Sequence, residues 1–513
     1  MKKIHYLGIF FAVFILLTGL TGCDLLSKYL GIDFGPNVKI TDPTNGKIIS
    51  GVYTFIGSYS GPIDSISVKI GDQQFYVEEL LNGTWKIDID LTTFSPGDYT
   101  VTSIGYEGNR ELDRYSINVT IEGSSSSWNE IEGGYYIIFK DEDYSDTPAK
   151  LTDITTDTTN LYISGYYQDT SAYTYKPFVY KINPETGEII KKYVWDASFQ
   201  YSTSIDPVLV TYESSNNSVY MAFSVESDSY IYIRKLDSDL VSIATYNTST
   251  STAPIQFQRI ISDNPGTEPV VFLTGNINGE ILAYKIPDYG TYFGTDSKVD
   301  TTVAGIGYDL IIPPGDNTYI YIVGRYSSTT NNGAILKLNQ SDLSTVSQNL
   351  TLYQNGECLG VTFDTQYDYL YITGYFKNGN GYDRSTALEQ VYPPDITGTY
   401  LDHSFTYTPA PSSDINDEAG FSIVFDADKQ YYAISGFQKR TTSDFSSARA
   451  SVAIRSYNSD YNEVKTIVFT VANYGESFLR DIVQLGSDYY AVGYAYDSEN
   501  TKPNSLIIKV SNQ

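Results

Sequence analysis

Residues 363–375 read FDTQYDYLYITGY, and the four residues Tyr371 to Gly374 within them decide the fold. An aromatic or Ala, an apolar residue, a small or β-branched residue and a glycine recur as one strand signature. It appears as YISG (162–165), FLTG (272–275), YIVG (321–324), YITG (371–374), AISG (433–436) and YAVG (490–493). MAFS (221–224) fills the second slot without the glycine, and successive fourth positions lie 49 to 62 residues apart. A second strand carrying a basic residue follows: VYKIN (179–183), IRKLD (233–237), AYKIP (283–287), ILKLN (335–339), AIRSY (453–457) and IIKVS (507–511). ALEQVY (387–392) is the degenerate copy. Short strands at this period, with no helical pattern between them, predict a β-propeller.

Apolar runs ahead of each signature supply the inner strands: LTDITT, VLVTY, RIIS, DLII, GVTF, SIVF and RDIVQL. Four strands per unit and seven units follow. The last unit ends at Gln513 without an outer strand, while a spare strand, residues 133–139, precedes the first. Pairing the two closes the ring and removes open edges. Tyr162, Tyr321, Tyr371 and Tyr490 share one repeat position and are expected to fill the wedges between units. Lys181, Lys235, Lys285, Lys337 and Lys509 are expected to end strands at the rim. The stretches FDTQYDYLYITGY and YKINPETGE (180–188) loosely resemble bacterial extracytoplasmic propeller repeats, which implies architecture alone. Sialidase, WD and quinoprotein repeat motifs are absent from the sequence.

Residues 36–122 alternate apolar and polar residues between turn clusters, as in VKITDP, YTFIGSYS, ISVKIG and TWKIDIDL, and predict a seven-stranded Greek-key sandwich. The run Asn82-Gly83-Thr84-Trp85 with Ser95-Pro96-Gly97-Asp98-Tyr99 resembles bacterial Ig-like domains. That likeness implies a spacer or adhesive module, with Trp85 and Tyr99 facing its core. The expected fold is all-β: an Ig-like β-sandwich, a linker (123–132), and a seven-bladed β-propeller (133–513) closed by its N-terminal strand.

The chain begins MKKIHYLGIFFAVFILLTGLTGC, a basic start, an apolar run too short to span a bilayer comfortably, and small residues. Leu20-Thr21-Gly22-Cys23 resembles the lipobox of bacterial lipoproteins, which implies a signal peptide at 1–22, acylation of Cys23 and a tether over 23–35. The protein is then expected in the cell envelope, outside the cytoplasm, held to a lipid bilayer through Cys23, with the leaflet open. Removing Lys2 and Lys3 takes the formal charge from −28 to −30.

That acidity argues against nucleic acid as a partner. Leader removal takes His5 and acylation occupies Cys23, leaving Cys358 as the one free thiol and His403 as the one imidazole, so disulfides, zinc and histidine catalysis are not expected. His403 neighbours Asp402, but adjacent strand residues point to opposite faces. No catalytic residue, cofactor or resident metal is expected. Two acidic groups, Asp141, Glu142, Asp143 and Asp146, and Asp414, Asp417 and Glu418, lie in outer-to-inner connections and are candidates for a ligand face. Oxygen clusters of this kind could take Ca²⁺, although neither has EF-hand spacing. The leading expectation is a non-catalytic, monomeric surface protein whose propeller binds a protein or glycan. A carboxylate-dependent glycosidase or lyase is the alternative, and a purely structural envelope component the third.

Overall fold

In the computed structural model the chain divides into two compact units, Met1–Ser127 and Trp128–Gln513. Described residues run from 35 to 511, except 50–51, 78–79, 92–93, 95–96, 122–127, 140–147, 170–173, 198, 201–204, 206, 226–229, 250–254, 265–267, 328, 379–382, 406–416, 440–447, 457–462, 472–473 and 498–501. Every extended element among them is a β-strand, and none is a helix long and apolar enough to cross a membrane.

The first unit packs two sheets on one core. One pairs Asn37–Asp42, Val52–Ser60, Thr84–Asp90 and Leu80–Leu81; the other orders Ile48–Ile49, Arg110–Ile121, Gly97–Glu107, Ser65–Ile70 and Gln73–Tyr76. Alternating side chains of both sheets meet inside, among them Val38, Phe55 and Ile89 from the first and Ile66, Val68, Val101 and Val119 from the second. Trp85 is buried and takes the space where Gly57 has no Cβ; a methyl group there would overlap its indole. Tyr99 packs partly buried at the edge of this core, edge-on to Phe94.

The second unit is a succession of four-stranded antiparallel meanders. Their leading strands are Ala149–Thr156, Leu209–Glu213, Ile255–Asp263, the second half of Ser297–Ile311, Gly356–Asp364, Asp417–Asp426 and Tyr474–Leu485. Each touches the leading strand of the next sheet, and the last touches the first. Ser297–Ile311 serves twice: its first half pairs with Glu280–Pro287 as the outer strand of the third sheet, and its second half leads the fourth. Pro503–Ser511 pairs with Gly134–Phe139, with Tyr135 opposite Lys509 and Phe139 opposite Ser505, so the first and last parts of the second unit share one sheet. A short strand not expected from the sequence, Asn129–Ile131, adds to its edge. This all-β set of four-stranded sheets is compatible with a β-propeller.

Strand register corrects one sequence reading. Tyr162, Tyr321 and Tyr490 stand opposite Lys181, Lys337 and Lys509, and in the second sheet it is Tyr220 that stands opposite Lys235. The second copy of the signature is therefore YMAF (220–223), one residue earlier than MAFS. Because side chains alternate, that one-residue slip would turn the strand inside out. Missing glycine at its end, the motif had no anchor for the correct frame.

Candidate functional site

The leading strands carry the charged centre of the second unit. Six of the seven contain a β-bulge at the same place, between Leu151 and Asp153, Phe257 and Arg259, Gly307 and Asp309, Cys358 and Gly360, Gly420 and Ser422, and Leu479 and Asp481. A bulge re-aims the residue that follows it. The position after the bulge thus reads Asp153, Leu209, Arg259, Asp309, Gly360, Ser422 and Asp481 around the sheets, Leu209 being placed by its pairing with Ala222.

Arg259 gathers three of these side chains. Its Nη1 donates to Asp481 Oδ2 at 2.7 Å and to Asp153 Oδ1 at 2.8 Å, and its Nε lies 3.2 Å from Asp309 Oδ1. One guanidinium from the third sheet therefore joins the first, fourth and seventh. The carboxylates also reach forward to the next sheet. Asp153 accepts the Val210 N–H at 2.8 Å, Asp309 the Val361 N–H at 2.8 Å, and Asp481 the Ile154 N–H at 3.3 Å. Ser422 Oγ donates to Asp481 Oδ1 at 2.6 Å.

Burial decides the protonation of this group. All three carboxyl side chains are under a tenth exposed. Burial pushes Asp153 well above the usual carboxylate range; Arg259 opposes this, and the neighbouring Asp481 adds to it. At Asp481 burial is outweighed by Arg259 and by hydrogen bonds from Asp153 and Ser422, which hold it below its ordinary value. Of the two, Asp153 is therefore the one that binds a proton more readily. Burial raises Asp309 to about 6 against the pull of Arg259. Desolvation of Arg259 is overcome by its three partners, so it stays charged.

A cavity of about 300 Å³ opens beside this girdle, with Arg259 in its wall together with Thr155, Thr211, Ser262, Ile261, Ile311 and Val483. Its wall also carries the carboxyl of Asp263, which burial holds above its ordinary pKa, while its cation, Arg259, is already held by three carboxyl groups. A substrate entering here would meet the satisfied ion cluster of Arg259 on one side and Asp263, which accepts from Gln340 Nε2 at 3.4 Å, on the other. Among the described residues no group of three or more His, Cys, Asp and Glu is placed to hold a metal ion.

At larger radius, the repeated Tyr and Lys fasten the first four sheets and the last to their successors. Lys181 donates to Ser238 O at 2.9 Å, alongside Tyr162 at 3.1 Å. Lys285 reaches Gln340 O at 2.9 Å. Lys337 and Tyr321 both reach Pro393 O, at 3.0 and 3.2 Å. Tyr490 reaches Pro184 O, carrying the pattern from the last sheet to the first. The lysines expected at the rim lie instead in these junctions, Lys235, Lys337 and Lys509 being buried. A carbonyl at the facing turn partners Lys181, Lys235, Lys285 and Lys337, and carboxylates partner Lys235 and Lys509, which explains the difference. The tyrosines do fill the wedges: Tyr162, Tyr321, Tyr371 and Tyr490 are buried.

Of the acidic candidates, Asp141, Glu142, Asp143, Asp146 and Asp414 lie outside the described residues, as does Cys23. Asp417 opens its strand opposite Lys439, and Glu418, opposite Gln438, is buried. His403 stands opposite Leu388 within Asp395–Phe405. Cys358 is buried as a free thiol, its pKa driven up by burial. The axial group was not singled out in the sequence, although its signal is there. A polar residue stands directly before an Ile or Leu in D-ITT, R-IIS, D-LII, S-IVF and D-IVQ.

No protein-family profile matches the chain, and no curated protein matches it. Among solved structures, a quinonprotein alcohol dehydrogenase-like protein from Bacteroides thetaiotaomicron aligns over 85% of this chain and 97% of its own, with 12% identity and a TM-score of 0.40. An endo-β-1,4-mannanase from Thermotoga petrophila aligns over 18% of this chain, with 20% identity and a TM-score of 0.17; the match spans 21% of that protein. Both likenesses are remote.

Proposed function

We propose that the protein is a lipid-anchored component of the bacterial cell envelope that binds a protein or glycan ligand without catalysis. In this reading Cys23 carries the lipid, an Ig-like sandwich acts as spacer, and a closed seven-bladed propeller presents the binding surface. The cyclic contacts of the leading strands and the pairing of Gly134–Phe139 with Pro503–Ser511 support the closed ring. One observation carries the non-catalytic part. The three central carboxyl groups are committed to Arg259 and to backbone N–H groups of neighbouring sheets, so they join sheets rather than face a substrate. The acidic surface suits neutral or cationic ligands.

Two experiments test this reading. Labelled palmitate should enter the wild-type protein in a bacterial host and be lost in Cys23→Ala; incorporation that survives the substitution removes the anchor. A glycan array should show retention without turnover. The glycosidase or lyase alternative has one feature in its favour, the opposite pKa directions of the neighbouring Asp153 and Asp481, since a pair whose pKa values are driven apart is how one site holds both an acid and a base. Product release that disappears in Asp153→Asn would establish that alternative.

A further inference from the structure

The third sheet differs from the others at its outer hairpin. Residues 288–296 connect Glu280–Pro287 to the next strand, whereas the corresponding described turns in the first, second, fourth and fifth sheets are shorter, at 183–188, 238–241, 340–344 and 393–394. The longer turn is held from below. Asp288 is buried and accepts from Lys235 Nζ at 2.6 Å, from Asn216 Nδ2 at 3.1 Å and from the Tyr220 hydroxyl. Lys235 also donates to Gly290 O at 2.9 Å, and the Gly290 N–H donates to Asp288 Oδ1 at 3.0 Å. Phe293 tucks toward Tyr220 and Tyr246 at the edge of the core.

Two aromatic rings remain outside. Tyr289 is 41% exposed and Tyr292 61% exposed, their centroids 5.3 Å apart. The Tyr289 N–H donates to Tyr292 O at 3.0 Å, and the Gly294 N–H to Pro287 O at 2.8 Å. Gly294 lies so close under the Tyr289 ring that a Cβ there would sit 2.5 Å from it. The turn thus holds an exposed aromatic pair in place, so little side-chain freedom is left to lose on binding.

We propose that Tyr289 and Tyr292 form a stacking platform for a neutral glycan. This rests on the glycan-binding reading of the protein and assigns it a site. Ring faces accept the C–H face of a sugar, while the phenol hydroxyls and the exposed turn residues Thr291 and Thr295 offer hydrogen bonds around it. The exposed part of the turn carries no aliphatic side chain, which sets the patch apart from the larger apolar surface of a protein interface. A formal charge of −28 disfavours sulfated and uronate-rich chains, leaving neutral sugars.

The test uses the purified full-length protein on an array of neutral and anionic glycans, followed by titration of the strongest neutral hit. The Tyr289→Ala/Tyr292→Ala double variant should bind that glycan about tenfold more weakly or worse, with an unchanged unfolding midpoint. Tyr289→Phe/Tyr292→Phe should keep most of the affinity, because the ring faces remain. Gly294→Ala, which displaces the Tyr289 ring, should weaken binding while both tyrosines are present. Equal binding by the Ala double variant and the wild type overturns this site and leaves the glycan-binding reading standing. Absence of any retained neutral glycan overturns both.

Discussion

The axis and the outer junctions of the second unit solve one problem, joining successive sheets, by opposite means. In the outer junctions one residue pair is used repeatedly: Tyr and Lys at fixed register reach the next sheet's turn, mostly a carbonyl. At the axis one repeat position carries different residues in different sheets, and a single Arg259 balances Asp153, Asp309 and Asp481. The difference follows from geometry. Outer junctions are related by the repeat and see the same neighbours, so one local solution fits each. Near the axis several sheets converge on the same small volume, and identical charges there would repel. A repeat can therefore be uniform where contacts are pairwise and must diversify where they are shared.

The largest expected effect comes from breaking the shared contact. Arg259→Met leaves the carboxyl cluster without a counter-ion and should cost about 5 kcal/mol, measured by denaturant unfolding. Adding Asp481→Asn should recover part of that loss. If Arg259→Met unfolds like the wild type, the axis is not the lock described here.

The outer junctions should respond according to their partner. Lys235 is the member that faces a fully buried carboxylate in addition to a carbonyl. Lys235→Met strands Asp288 and should cost about 3–4 kcal/mol. Lys337→Met, which gives up a bond to Pro393 O, should cost about 1–2 kcal/mol by the same unfolding measurement. Equal losses at the two sites would contradict the distinction.

Asp309 supplies a pH-dependent term of up to about 3 kcal/mol. Its folded pKa, about 6, lies above the ordinary carboxylate value of 3.8, so between those values the folded chain binds the extra proton. Stability from this group accordingly rises as pH falls from about 6 to about 4 and is lost as pH rises through 6. Compared with the wild type, Asp309→Asn should show a flatter stability profile over that window. A difference profile independent of pH would contradict the assignment.

Much of the fold was legible because it repeats. The period of the YxxG signature, the leading strands and the closing strand at residues 133–139 could be read from short apolar runs bounded by turns. The frame of the second repeat was not, since Tyr220 had neither the glycine nor a neighbouring signal to fix it against Lys235. The axial cluster was missed for a different reason. Asp153, Arg259, Asp309 and Asp481 are separated by up to 328 positions, and only the ring brings them together. A search for dense acidic stretches instead selected connections such as 141–146 and 414–418, where charge is local in sequence. Lys181, Lys285 and Lys337 looked like rim residues because they donate to backbone carbonyls, which leave no mark in the sequence.

The central claim is that these central carboxyl groups hold the sheets together and perform no hydrolysis. The direct test incubates the full-length protein with each glycan it retains and measures new reducing ends and unsaturated products. The account predicts none above the no-protein control, for the wild type as for Asp153→Asn and Asp481→Asn. Product formation by the wild type that is abolished in either variant, with the fold intact, would contradict it.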